Sequence, residues 1–146
     1  MIKTFRGLLA DGAQQRIRLS TKKGKVGYKI LKLEVIPKNP GTVDYEGTLT
    51  INKVTFTPLN TIDLSDGNIL AVAYWHGSSG HGQPETDVQI IFEQEIFNQD
   101  IFVGYNDLQS SGIMNYYLEL ETFAMTDNAT AVSTLRDIRL NPQVGA

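Results

Sequence analysis

Hydrophobic and polar positions along this chain alternate with a period of two almost throughout. That is the spacing of strands with one buried face, whereas the apolar positions of helices recur every three or four residues. Arg16-Ile17-Arg18-Leu19 alternates, Leu31, Leu33 and Val35 share a face against Lys32 and Glu34, and Leu49 and Ile51 alternate with Thr48, Thr50 and Asn52. Val88, Ile90 and Phe92 repeat the pattern, Ile101-Phe102-Val103 is a short apolar run, and Leu118 and Leu120 alternate with Glu119 and Glu121. Turn formers punctuate these runs at Asp11-Gly12, Lys23-Gly24, Asn39-Pro40-Gly41, Asp66-Gly67, Ser110-Ser111-Gly112 and Asp127-Asn128. Eight or nine short strands so spaced predict an all-β fold, a single antiparallel β-sandwich of jelly-roll type over residues 1–146.

Two segments compete as helices. Phe92 to Phe102 spaces Phe92, Ile96 and Phe97 like a helix, yet Ile101-Phe102-Val103 continues as a strand, so a turn or short helix leading into that strand is expected. From Ala129 to Leu140, Val132, Leu135 and Ile138 stand three apart and suit one amphipathic face, while the threonines and the following Asn141-Pro142 fit a last strand equally. No repeat, low-complexity tract or long linker divides the chain.

Composition narrows the chemistry. A domain of 146 residues hides roughly 70% of the surface its unfolded chain would expose, enough for a core without staples. There is no cysteine, which excludes disulfides, thiolate zinc sites and cysteine nucleophiles. No run of 18 apolar residues occurs and the first residues do not read as a signal peptide, so a soluble chain, not exported by the usual route and without a membrane partner, is expected. The net charge of −3 conceals an asymmetry. Residues 1 to 38 hold ten of the thirteen basic residues against Asp11 and Glu34, a net +8, and the remaining 108 residues carry −11. Such a chain can turn its basic end to an acidic neighbour, with Lys22, Lys23 and Lys25 in one turn as the strongest cluster. An acidic total and no aromatic residues beside that turn argue against direct nucleic-acid binding.

Candidate chemistry gathers in Ala73-Tyr74-Trp75-His76-Gly77-Ser78-Ser79-Gly80-His81-Gly82-Gln83-Pro84-Glu85, which holds the sole tryptophan and both histidines. His76 and His81, five apart across a glycine-serine run, supply only two ligands, with Glu85 or Asp87 as possible thirds, and that spacing fixes no metal geometry. The segment reads as a connection between strands Ile69 to Trp75 and Thr86 to Phe92, better suited to contact than to catalysis. No Gly-x-Ser-x-Gly elbow, His-Glu-x-x-His pair or phosphate-cradling glycine loop is present. Glu93, Glu95, Asp100 and Asp107 are the carboxylates from which a glycosidase-like pair would be drawn, and surface turns explain them more simply. Asp63 to Asn68 is rich in oxygen ligands but lacks the distal glutamate of a calcium loop, so a tight Asp-Gly turn is expected. Asn128-Ala129-Thr130 matches the glycosylation sequon, which carries no weight without secretion. Tyr74, Trp75, Tyr105, Tyr116 and Tyr117 are candidates for stacking on sugar rings, or for core and rim positions whose polar ends find partners.

Five stretches carry a likeness over nearly the whole chain: the opening MIKTFRGLLADGAQQRIRLSTKKGKVGYKI, the DLSDG turn before Leu70 to Tyr74, FEQEIFNQDIFV, NYYLELE and TAVSTLRDIRLN. In these the chain resembles a group of small virion-associated proteins encoded by tailed phages of marine bacteria. His76 to Pro84 is the part least expected to match, as suits an exposed loop facing a variable partner. The resemblance implies a capsid decoration, cement or other minor virion protein at the capsid surface, passive in mechanism. It implies the major capsid protein or other virion proteins as partners, a homo-oligomer with a trimer favoured, and neither catalytic residue nor cofactor. A carbohydrate-binding module using Trp75 and the loop, or a tail or fibre component engaging host-surface glycans, is the alternative, and an enzyme acting on glycans through Glu93, Glu95 or Asp100 ranks last. The contact residues expected are Lys22, Lys23 and Lys25 on the basic side and Trp75, His76 and His81 on the loop side.

Overall fold

The computed structural model describes residues 1–41, 44–59, 61–77, 86–109 and 112–126. Within them the chain forms eight strands: β1 Ile2–Leu9, β2 Gln14–Ile17, β3 Val26–Pro37, β4 Tyr45–Asn52, β5 Ile69–Gly77, β6 Thr86–Ile91, β7 Ile101–Asp107 and β8 Met114–Ala124. There is no helix among the described residues, and so none that could cross a membrane. Two antiparallel sheets form, one in the order β1-β8-β3 and one in the order β2-β7-β4-β5-β6, and they pack into the expected all-β sandwich. The segment 92–100 runs as turns into β7 without a helix. The stretch Ala129 to Leu140 and the sequon lie outside the described residues.

A jelly roll nests four antiparallel pairs, first strand with eighth, second with seventh, third with sixth and fourth with fifth. Here β1 pairs with β8, β2 with β7 and β4 with β5. The remaining partner is exchanged: β6 pairs with β5, while β3 pairs with β8. The third and sixth strands therefore border different sheets, packed side by side across a seam.

The core is the inward set of both sheets, with Ile30, Leu33, Leu118 and Leu120 from the smaller sheet and Leu49, Ile51, Ala71, Ala73, Ile101, Val103 and Tyr105 from the larger. Three departures from simple alternation follow from tertiary contacts. A bulge between Ile30 and Lys32 inserts one residue, so Ile30 joins Leu33 and Val35 in the core and Leu31, expected there, is only half-buried. Thr48 and Thr50 are buried with Leu49 and Ile51 because β4 is central and its second face is roofed over. The roof includes Phe56 and Pro58, which lie so close over Gly104, the residue paired with Thr50, that a Cβ there would collide with them. The third departure is on β6, where Val88 and Ile90 are 46% and 40% exposed: that apolar row faces outward, and Ile91 is the residue that packs on the core.

Pairing also redistributes the charge asymmetry. The basic strands β1 and β3 flank β8, whose Glu119 and Glu121 stand between them on the solvent face. Lys29 lies 3.3 Å from Glu121, and Lys32 is paired across the ladder with Glu119. Part of the +8 of the first 38 residues is thus met within the molecule.

Candidate functional site

The outer face of the smaller sheet is set by register. Leu8, Asn115 and Ile36 form one cross-strand row, Arg6, Tyr117 and Glu34 the next, then Thr4, Glu119 and Lys32. Residues in such rows stand about 5 Å apart and act together. The first row leaves Leu8 47% and Ile36 55% exposed. Tyr117 is held at the centre of the second. Its hydroxyl donates to Glu119 Oε1 at 2.7 Å, a bond that is the first cause of its raised pKa, and the Lys32 ammonium lies 6.0 Å from the ring centroid.

Where these two rows approach the seam they meet Trp75 of β5 and Asp87 of β6, which are paired with each other in the larger sheet. Together they enclose an open cleft of about 790 Å³, lined by Arg6, Glu34, Trp75, Asp87, Asn115 and Tyr117 with the flanking Leu8 and Ile36. The cleft lies along the side on which β6 is paired with β5 and β3 is left as the border of its own sheet. Asp87 accepts a hydrogen bond from Gln89 Nε2 at 2.9 Å. All seven polar or aromatic lining residues, Tyr116 included, sit on strands, whose backbones are fixed by ladders, rather than on a loop.

The residues expected from sequence are not brought together. β5 runs two residues further than expected, so His76 is a strand residue, paired with Glu46 and Thr86, and points to the opposite face from Trp75. His81 lies outside the described residues. Lys22, Lys23 and Lys25 are exposed in the turn before β3, closed by Gly24 N–H donating to Thr21 and by the left-handed Gly24, φ 62°. That turn and the cleft lie at opposite ends of β3, roughly 30 Å apart at about 3.3 Å per residue. Arg6, Glu34, Asp87 and Asn115 were not among the expected contact residues. Only sheet register aligns them, and no local motif marks them.

Of the carboxylates weighed for catalysis, Glu95, Asp100 and Asp107 hold parts of the scaffold together. Asp100 accepts from the Leu19 and Ser20 N–H groups at 2.7 and 2.8 Å and pairs with Arg16 at 2.6 Å. Burial works to raise its pKa, but the two backbone donors and the guanidinium outweigh it and hold the carboxyl below its ordinary value. Glu95 meets the buried Lys53 ammonium at 2.5 Å. Asp107 accepts from the N–H groups of Glu46, Gln109 and Gly112. Asp63 accepts from Ser65 N–H and Oγ–H, and Asp66 from Asn68 N–H, which makes 63–68 the tight turn expected. Among the described residues no group of three His, Asp or Glu side chains is arranged to hold a metal ion.

Of the candidate aromatics, Tyr105 is fully buried, and burial followed by the Asp107, Tyr45 and Asp11 oxygens pushes its phenol far above the usual value. Tyr116 is buried with its hydroxyl donating to Gln15 at 2.8 Å. Trp75 and Tyr117 line the cleft together with Tyr116, whose hydroxyl is already engaged. Compared with models of known protein families the chain matches none, and no curated protein matches it.

Proposed function

We propose that this chain is a structural protein of a tailed-phage virion, a decoration or cement protein that attaches to the capsid shell and stabilises it by burying interface between its neighbours. The reading rests on the resemblance described above and on one observation of the fold. The apolar row of β6, a pattern that normally marks a core face, is turned outward: Val88 stands beside Tyr74 and Ile90 beside Val72 on the surface of a border strand. A border strand with an apolar face invites pairing and aggregation, and a native protein keeps one where a neighbour covers it. The neighbour is the major capsid protein or another copy of this chain, with a trimer as the favoured arrangement. The exposed turn of Lys22, Lys23 and Lys25 supplies a second, electrostatic contact for an acidic partner. No cofactor enters this function.

The test is made on purified particles of the source virus. Mass spectrometry is expected to find the chain at a copy number comparable to that of the major capsid protein, and Ile90→Lys is expected to fold normally while detaching from shells. Charge reversal at Lys22, Lys23 and Lys25 should weaken attachment most at low salt. Absence from the particles, or full occupancy by Ile90→Lys, overturns the proposal.

A further inference from the structure

We propose that the cleft between the outer face of the smaller sheet and the β3–β6 seam is a binding site for a neutral sugar, with Trp75 and Tyr117 as apolar walls and Arg6, Glu34, Asp87 and Asn115 as hydroxyl partners. This goes beyond shell attachment, which uses the outward row of β6 and the lysine turn.

Three features carry it. The first is size: the open cleft holds about 790 Å³, within the range of ~300–1,000 Å³ typical of small-molecule sites. The second is the inventory of polar groups. A sugar hydroxyl donates one hydrogen bond and accepts others, so its recognition needs both kinds of partner within reach. Arg6 supplies only donors, Glu34 and Asp87 only acceptors, and Asn115 one of each on a single planar amide. The third is charge. With one guanidinium against two carboxylates the lining is net negative, which disfavours phosphates, nucleotides and acidic sugars and suits a ligand without negative charge; the mixture of donors and acceptors matches a hydroxyl-rich one.

The aromatic pair adds the apolar part. A pyranose presents C–H groups on its ring faces and hydroxyls around its edge, so it fits a site with aromatic walls and polar groups at the border. Tyr117 is already oriented by Glu119 and Lys32 before any ligand arrives. Trp75 packs partly on the core, which fixes its ring. Both therefore lose little freedom on binding.

The sole tryptophan makes the test direct, because its indole N–H gives one resolved signal in a nitrogen-15 NMR spectrum. The full chain is titrated with glucose, galactose, mannose, cellobiose and lactose at millimolar concentrations. A saturable shift of the Trp75 indole signal with at least one of them is expected, and Glu34→Gln and Asp87→Asn should each weaken that binding about fivefold or more. Lys22→Glu, at the far end of β3, should leave it unchanged. These variants conserve shape, so the result does not depend on whether Trp75→Ala folds. The proposal is overturned if no sugar moves the indole signal, if glucuronate binds more tightly than glucose, or if an extended peptide with no sugar produces the same saturable shift.

Discussion

Removing the Asp100 carboxylate should unfold the protein about 3 kcal/mol more easily, and the figure follows from its partners. The carboxylate ties the chain after β2 to the start of β7 through Leu19 N–H, Ser20 N–H and Arg16. In Asp100→Ala the Leu19 amide is left buried without its acceptor, a cost of about 1–3 kcal/mol. Ser20 is exposed and its amide regains water, so it adds about 1 kcal/mol at most. Arg16, 50% exposed, is rehydrated at little cost, consistent with the ~0–1 kcal/mol of surface pairs. At about 2–4 °C per kcal/mol for a domain of this size, the melting temperature should fall by roughly 6–12 °C. A pH signature accompanies it. The carboxyl titrates below its unfolded value in the native state, so its stabilisation is complete above an unfolded pKa near ~3.9 and is lost as pH falls through the lower folded value. Urea unfolding at pH 7 and pH 3 should therefore show a smaller pH dependence in Asp100→Ala than in the wild type. A loss below about 1 kcal/mol at pH 7, or an unchanged pH dependence, would refute the assignment of Asp100 as the clamp on this segment.

Two further outcomes test the interior. The Tyr105 hydroxyl is buried and finds no partner among the described residues, so Tyr105→Phe should keep or raise stability by about 1 kcal/mol in urea unfolding, and a loss of that size would mean that the hydroxyl is satisfied. Lys53 is 3% exposed beside Glu95, so Glu95→Ala, which takes a carboxylate away from a buried ammonium, should lower stability by about 1–3 kcal/mol in urea unfolding, and Glu95→Gln by less. No loss in Glu95→Ala would show that this pair does not hold the segment before β7 in place.

Strand existence was legible because backbone pairing demands it locally: alternation at Leu49 and Ile51 and at Leu118 and Leu120, broken by Asp-Gly and Lys-Gly turns, specifies a sandwich whatever the order of its strands. The strong local turns also came through, at 22–25 and 63–68, since their hydrogen bonds span only a few residues. Which face each strand presents was legible only where the period ran unbroken. One bulged residue moved Leu31 out of the core, and the outward turn of Val88 and Ile90 depends on where β6 finds its partner, a contact the local pattern does not encode.

The candidate site belongs wholly to that second class. The sequence by itself determined the fold class, the turns, the absence of cysteine chemistry and Trp75 as a residue of interest, because each is a property of composition or of neighbours in the chain. Only the tertiary structure decided that β8 would lie between the basic strands with its glutamates, that Asp100 and Glu95 would serve the scaffold, and that Arg6, Glu34, Asp87, Asn115 and Tyr117 would meet Trp75. These residues come from five strands, and their juxtaposition is set by ladder register and by the exchange of the partner of β6. Both are outcomes of global packing between segments more than a hundred residues apart in the case of β1 and β8, on which spacing along the chain carries no information.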